Sequence, residues 1–179
     1  MTDTPRAQEP EHPAPLKISR VFRAPRQTVF EAWSSADHVK RWFSPATFTV
    51  PDAKVEMRVG GPFEVCMRSP GGEEHWSRGA FVEVTPHTRL VIDMRAAGRD
   101  GAPLFRAWTE VVFSDAPGGT RMEVTQTYTF IDPSIAAPMV AGAPEGWRAT
   151  LDKLEKEVAR MRGAEETPSG HHAGGATAR

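Results

Sequence analysis

Over residues 119–130 the chain alternates with a period of two. Met122, Val124, Gln126, Tyr128 and Phe130 fall on one largely apolar face, and Glu123, Thr125, Thr127 and Thr129 on the other. That period predicts a strand with one buried face. Farther on the period changes. Trp147, Leu151, Leu154, Val158 and Met161 are spaced by four, three, four and three residues, which places them on one stripe of a helix. This helix is predicted to open at Glu145-Gly146-Trp147 and to run to Met161.

Upstream, Leu16–Arg23 reads as a strand, and Ala24-Pro25 as the start of a short helix with proline at its first position and Val29, Phe30 and Trp33 on one side. Asp37 is expected to cap a second short helix carrying Val39, Trp42 and Phe43. Further strands are predicted near 46–57, 61–69, 73–84, 88–97, 103–114 and 119–130. The turn signals between them are Pro70-Gly71-Gly72, Thr85-Pro86-His87, Gly98–Gly101 and Pro117-Gly118-Gly119. Seven strands, two short helices after the first strand and one long C-terminal helix define an α+β fold. The helix has one natural resting place, across the concave face of an antiparallel sheet.

Strand phase names the wall of any cavity between sheet and helix. Pairing the last two strands across the Pro117–Gly119 turn sets Phe113 beside Met122, Val111 beside Val124, Thr109 beside Gln126 and Ala107 beside Tyr128. Phe63, Val65 and Met67 share a parity, as do Leu90, Ile92 and Met94, and as do Trp76, Arg78, Ala80, Val82 and Val84. The candidate ligand-binding residues are therefore Phe63, Val65, Met67, Trp76, Arg78, Met94, Thr109, Gln126 and Tyr128 from the sheet, with Trp147 and Leu151 from the helix. An apolar wall with a few polar groups is what a small-molecule pocket requires, although the same alternation also builds a filled core. Trp108 is out of phase. It is expected on the convex face with Arg106 and Glu110, where a two-fold pairing of each Arg with the partner's Glu would make a homodimer.

Charge narrows the classes of partner. With 22 basic and 23 acidic residues the formal net charge is −1, which gives no electrostatic case for nucleic acid or an anionic membrane surface. No apolar run reaches the length of a membrane span. Residues 1–15 are polar and proline-rich, unlike a secretory signal, and together with 163–179 read as disordered tails around a domain of 16–162. Cys66 is the single cysteine, so no internal disulfide forms and a cytoplasmic location is expected.

Candidate chemistry is sparse. The sequence holds no phosphate loop, no His-Glu-x-x-His, no Gly-x-Ser-x-Gly and no cysteine pair. His12, His171 and His172 fall in the tails, His38 in the short helix and His87 in a turn. His75 has the parity opposite to Trp76 and is expected to face solvent. Cys66 reads as an inert thiol, and Glu56, Glu64, Glu83 and Asp93 as outward strand charges. No catalytic residue, metal ligand or cofactor is assigned.

One combination of short motifs is more specific than any of its parts. Ala24-Pro25, Val29-Phe30, Ala32-Trp33, Arg41-Trp42-Phe43 and Pro45 are followed by Arg58-Val59-Gly60-Gly61 with Phe63. Then come Gly79, Glu83-Val84-Thr85-Pro86 with Leu90, Gly119-Thr120 and Gly146-Trp147. In this order they resemble the activator-of-Hsp90-ATPase homologue 1-like family, within the SRPBCC or START-like (Bet v 1-like) superfamily. The resemblance covers about residues 16–162. It implies a helix-grip fold, a seven-stranded antiparallel sheet wrapped around the C-terminal helix. It also implies binding of a small hydrophobic or amphipathic molecule in the cavity between them. The alternatives it brings are a cyclase or hydrolase acting on a hydrophobic, polyketide-like substrate, and Hsp90 co-chaperone-like partner binding.

Overall fold

The computed structural model describes residues 13–167. Both expected tails, His12 and the His171-His172 pair therefore lie mostly or wholly outside the described residues. The elements run β1 (Leu16–Phe22), α1 (Arg26–Glu31), α2 (Ala36–Trp42), β2 (Thr49–Val55), β3 (Pro62–Arg68), β4 (Glu74–Thr85), β5 (Arg89–Ala97), β6 (Pro103–Ala116), β7 (Gly119–Phe130), a 3₁₀ turn (Pro133–Ile135) and α3 (Ala136–Glu165). The strands form one antiparallel sheet in the order β1-β7-β6-β5-β4-β3-β2. β2 to β7 thus make a continuous meander, and β1 closes it by pairing with β7. Among the described residues no helix is long and apolar enough to cross a membrane.

Local chemistry explains the helix ends and adjusts three expectations. The N-cap of α2 is Ser35, whose side chain accepts from the His38 amide, while Asp37 sits in the first turn where its charge favours the helix dipole. Pro25 takes the N-cap position of α1 rather than its first turn. α3 begins nine residues before the expected Glu145 and ends three beyond the expected domain edge at 162. Its early turns contain Pro138, Gly142, Pro144 and Gly146, poor helix formers that hide it from a propensity reading.

The α3 stripe does face the sheet. Trp147, Leu151, Leu154, Val158 and Met161 are all buried, in one core with Phe22, Phe63, Phe81, Leu90, Val111, Phe113 and Met122. Full burial of each such side chain contributes roughly 1.5–3 kcal/mol. Polar pins set the helix's position. Arg20 of β1 reaches Asp152 at 2.6 Å. Glu157, only 3% exposed, accepts from Arg160 at 2.7 and 2.8 Å and meets His38 Nδ1 at 2.8 Å.

Candidate ligand-binding site

Cross-strand partners share a face of the sheet, so the pairing identifies the concave wall. Phe63, Val65 and Met67 of β3 stand opposite Gly79, Ser77 and His75 of β4. Ser77 and Gly79 in turn face Ala96 and Met94 of β5. Met94 faces Ala107 of β6, and Ala107 faces Tyr128 of β7. Small side chains at Ser77, Gly79, Ala96 and Ala107 thus occupy the middle of the wall, under the first half of α3, with bulky Met67, Met94, Phe105 and Tyr128 around them. Space is left where small residues meet the helix. A cavity of about 330 Å³ opens there, closed on the helix side by Met139, Ala143, Gly146, Trp147 and Thr150.

This geometry sorts the residues expected from sequence. Met67, Trp76, Met94, Gln126, Tyr128 and Trp147 border the cavity. Phe63, Val65 and Leu151 do not; they are sealed in the core beneath it. Thr109 shares the face of Gln126 and is bonded to it, but is buried beside the cavity and does not line it. Arg78 is placed elsewhere. Its side chain is 58% exposed, 3.8 Å from Glu64, and its guanidinium lies 4.6 Å over the Trp76 ring. The cause is a register shift between Phe81 and Glu83. Such a bulge reverses the facing of every residue beyond it, so the parity drawn back from Val84 put Arg78 on the wrong face. Trp76 shares that face through its pairing with Cys66, although it also borders the cavity. The same reversal sets His75 on the concave face, at the mouth of the cavity, where its side chain is 49% exposed and meets solvent as expected.

The phase of β6 and β7 holds throughout, and with it the convex placement of Trp108. The Trp108 indole donates to Glu110 at 3.2 Å and the Arg106 guanidinium lies 5.3 Å from its ring. Arg106 grips Asp93 with two bonds of 2.7 and 3.0 Å, and Glu110 also accepts from Arg89. Cys66 is buried on the convex side, and burial first, then the nearby Glu74 carboxylate, pushes its thiol pKa up. It is in the protonated form that makes a poor nucleophile.

Polar groups converge on one corner of the cavity. Gln126 Oε1 accepts from the Trp147 indole at 2.8 Å and from the Tyr128 hydroxyl, and Gln126 Nε2 donates to Thr109 Oγ1 at 2.9 Å. The indole N–H can only donate, and this fixes which end of the amide faces Trp147. Burial pushes the Tyr128 phenol up to about 12, against a smaller pull downward from the Trp147 N–H. The hydroxyl therefore stays neutral. Among the described residues, no Asp, Glu, Lys or Arg lines the cavity.

The mouth is framed by the segment after α2, which sequence phase did not single out. Phe43, Ser44, Pro45 and Phe48 border the opening. Lys153 of α3 fastens this segment, donating to Ser44 Oγ, Pro45 O and Phe48 O at 2.9 Å each. All three ammonium hydrogens are used, so the charge acts as a clamp. Burial, then repulsion from Lys156, lowers the Lys153 pKa.

Known structures share this architecture. A protein from Rhizobium leguminosarum superposes with a TM-score of 0.71 at 26% identity, over 85% of this chain and 97% of its own. An AHSA1-like protein from Aeromonas hydrophila gives 0.62 at 25% identity, over 88% and 99%. An AHSA1 protein from Silicibacter pomeroyi gives 0.68 at 20% identity, over 82% and 99%, a likeness of fold alone. No curated protein matches the sequence. Residues 23–159 match the family described as activator of Hsp90 ATPase homolog 1-like protein, which spans both short helices, the mouth segment, the whole cavity wall and most of α3, and the chain belongs to that family.

Proposed function

We propose that this protein binds a small hydrophobic or amphipathic molecule in the cavity between the sheet and α3. The observation that carries the reading is a built space of about 330 Å³ with apolar, charge-free walls and one polar corner. A sheet packed only for stability would fill such a space with side chains. The volume sits at the lower end of small-molecule sites, which span roughly 300–1,000 Å³, and favours a compact ligand over a long acyl chain. Catalysis by a cyclase or hydrolase finds less support. Among the described residues His75 is the histidine that borders the cavity, half exposed at the mouth, with the Glu73 carboxylate at 4.0 Å. Co-chaperone activity rests on the family name alone.

Native mass spectrometry of the protein purified from its own host tests the binding reading. A co-purifying apolar adduct is expected. If no compound in a broad lipid and polyketide panel raises the melting temperature, the reading fails.

Self-association through the Trp108 strip is a separate proposal. Arg106 and Glu110 already hold partners within the chain, so a two-fold contact there would draw mainly on the indole face. Sedimentation velocity of wild type and Trp108→Ala at micromolar concentration tests it, and identical monomer profiles would remove it.

A further inference from the structure

The polar corner carries more donor hydrogens than its internal hydrogen bonds use. Trp147 Nε1, Tyr128 Oη and Thr109 Oγ1 bring one hydrogen each, and the Gln126 amide nitrogen brings two. Among the described residues three of these have acceptors: those of Trp147 and Tyr128 go to Gln126 Oε1, and one from Gln126 goes to Thr109. Among the described residues, the second Gln126 N–H and the Thr109 O–H have no acceptor. Gln126 lines the cavity and Thr109 is buried beside it. A buried N–H without a partner is rarer and more costly than an under-used oxygen lone pair. The corner therefore lacks an acceptor.

Charge decides what kind. An ionised carboxylate would supply acceptor oxygens, but among the described residues the wall has no Lys or Arg, and an unpaired buried anion is strongly disfavoured. Lys153 is turned away, its three hydrogens spent on the mouth segment. His75 stands at the open mouth, half exposed. A neutral oxygen with no hydrogen of its own meets both conditions.

Taking the cavity as a binding site, as proposed above, we infer that its ligand is an uncharged, compact, largely apolar molecule bearing a carbonyl oxygen that accepts from Gln126 Nε2. Trp147 and Tyr128 orient the amide so that this N–H is presented, and Thr109 holds its other hydrogen. The apolar remainder of the ligand lies against Met67, Met94 and Phe105.

Three probes of matched shape test this by calorimetry on the wild-type protein. They are 2-acetylnaphthalene, 2-isopropenylnaphthalene (the carbonyl oxygen replaced by a methylene) and 2-naphthoate. The ketone is expected to bind at least about tenfold more tightly than the alkene, because the alkene leaves the buried donor unmet. Naphthoate is expected to bind more weakly than the ketone. The carbonyl stretch of bound, isotopically labelled ketone should shift to lower frequency than in a hydrocarbon solvent. In Gln126→Leu the preference for the ketone should vanish while alkene binding persists. Equal affinity of ketone and alkene in wild type overturns the inference and leaves the binding reading intact, as does naphthoate binding most tightly of the three. Failure of all three probes to bind overturns this inference, while the binding reading stands or falls with the broad lipid and polyketide panel. Should Gln126→Leu not fold, the infrared measurement on wild type decides, and an unshifted stretch overturns the proposal.

Discussion

Tyr128 is the only tyrosine in the chain, so the ultraviolet signal of phenolate formation reports on this one cavity residue. Burial holds its pKa at about 12 in the native protein, whereas an unfolded chain releases the proton near 10. The native absorbance titration is expected to have its midpoint close to 12; a midpoint near 10 would mean that the phenol is solvated and the corner open. The sign for stability follows. A raised folded value contributes stability that is complete below about pH 10 and is lost as the pH rises towards 12. Glu157 works in the opposite direction. Burial alone would raise its pKa, but the hydrogen bonds from Arg160 and His38 outweigh that and hold it below its ordinary value of 4.5. Its contribution is present above that ordinary value and is lost as the pH falls through the lower folded one. Urea denaturation from about pH 7 down to 3 should therefore show a shallower acid limb for Glu157→Gln than for wild type. An unchanged limb would show that the carboxylate is not tied to α2 and α3 as the geometry indicates.

Elements show where the sequence was legible and where it was not. In β6 and β7 each strand keeps strict alternation and joins its neighbour by a tight turn, so the pairing of Thr109 with Gln126 and of Ala107 with Tyr128 follows from counting. The α3 stripe was equally plain because its five apolar positions repeat at helical spacing. β4 was not. A bulge leaves no mark in the apolar pattern when Val82 within it and Val84 beyond it look like a continuation, and the parity of Trp76, Arg78 and His75 is reversed as a result. The first half of α3 was hidden for a different reason. Pro138, Gly142, Pro144 and Gly146 argue against a helix, and its place over the cavity comes from packing of Met139 and Ala143. The two halves should therefore respond differently to substitution. Leu154→Asp places an unpaired charge at a fully buried position of the second half and should cost several kcal/mol. A thermal unfolding midpoint equal to that of wild type would show that the stripe does not face a core.

At the scale of the whole molecule, the cavity lies where the least self-sufficient parts of the fold meet. The mouth segment 43–48 has no regular structure and is fastened by Lys153, and the first half of α3 is weakened by proline and glycine. The second half of α3 and the concave strands beneath it form the main core. Local opening is cheapest where few apolar contacts and weak helical propensity coincide. Hydrogen exchange is thus expected to be fast in 43–48 and 136–146 and slow in 151–161, although 136–146 and 151–161 belong to one continuous helix. A ligand that bridges the two weak segments should slow exchange in both while leaving 151–161 unchanged, and at 100 times its dissociation constant it should stabilise the protein by about 2.7 kcal/mol. Lys153→Met frees the mouth segment without touching the cavity wall, so exchange in 43–48 should rise while that in 136–146 stays as in wild type. If exchange in 43–48 is the same in both proteins, the ammonium is not the clamp, and the mouth is held by Phe43 and Phe48 packing alone.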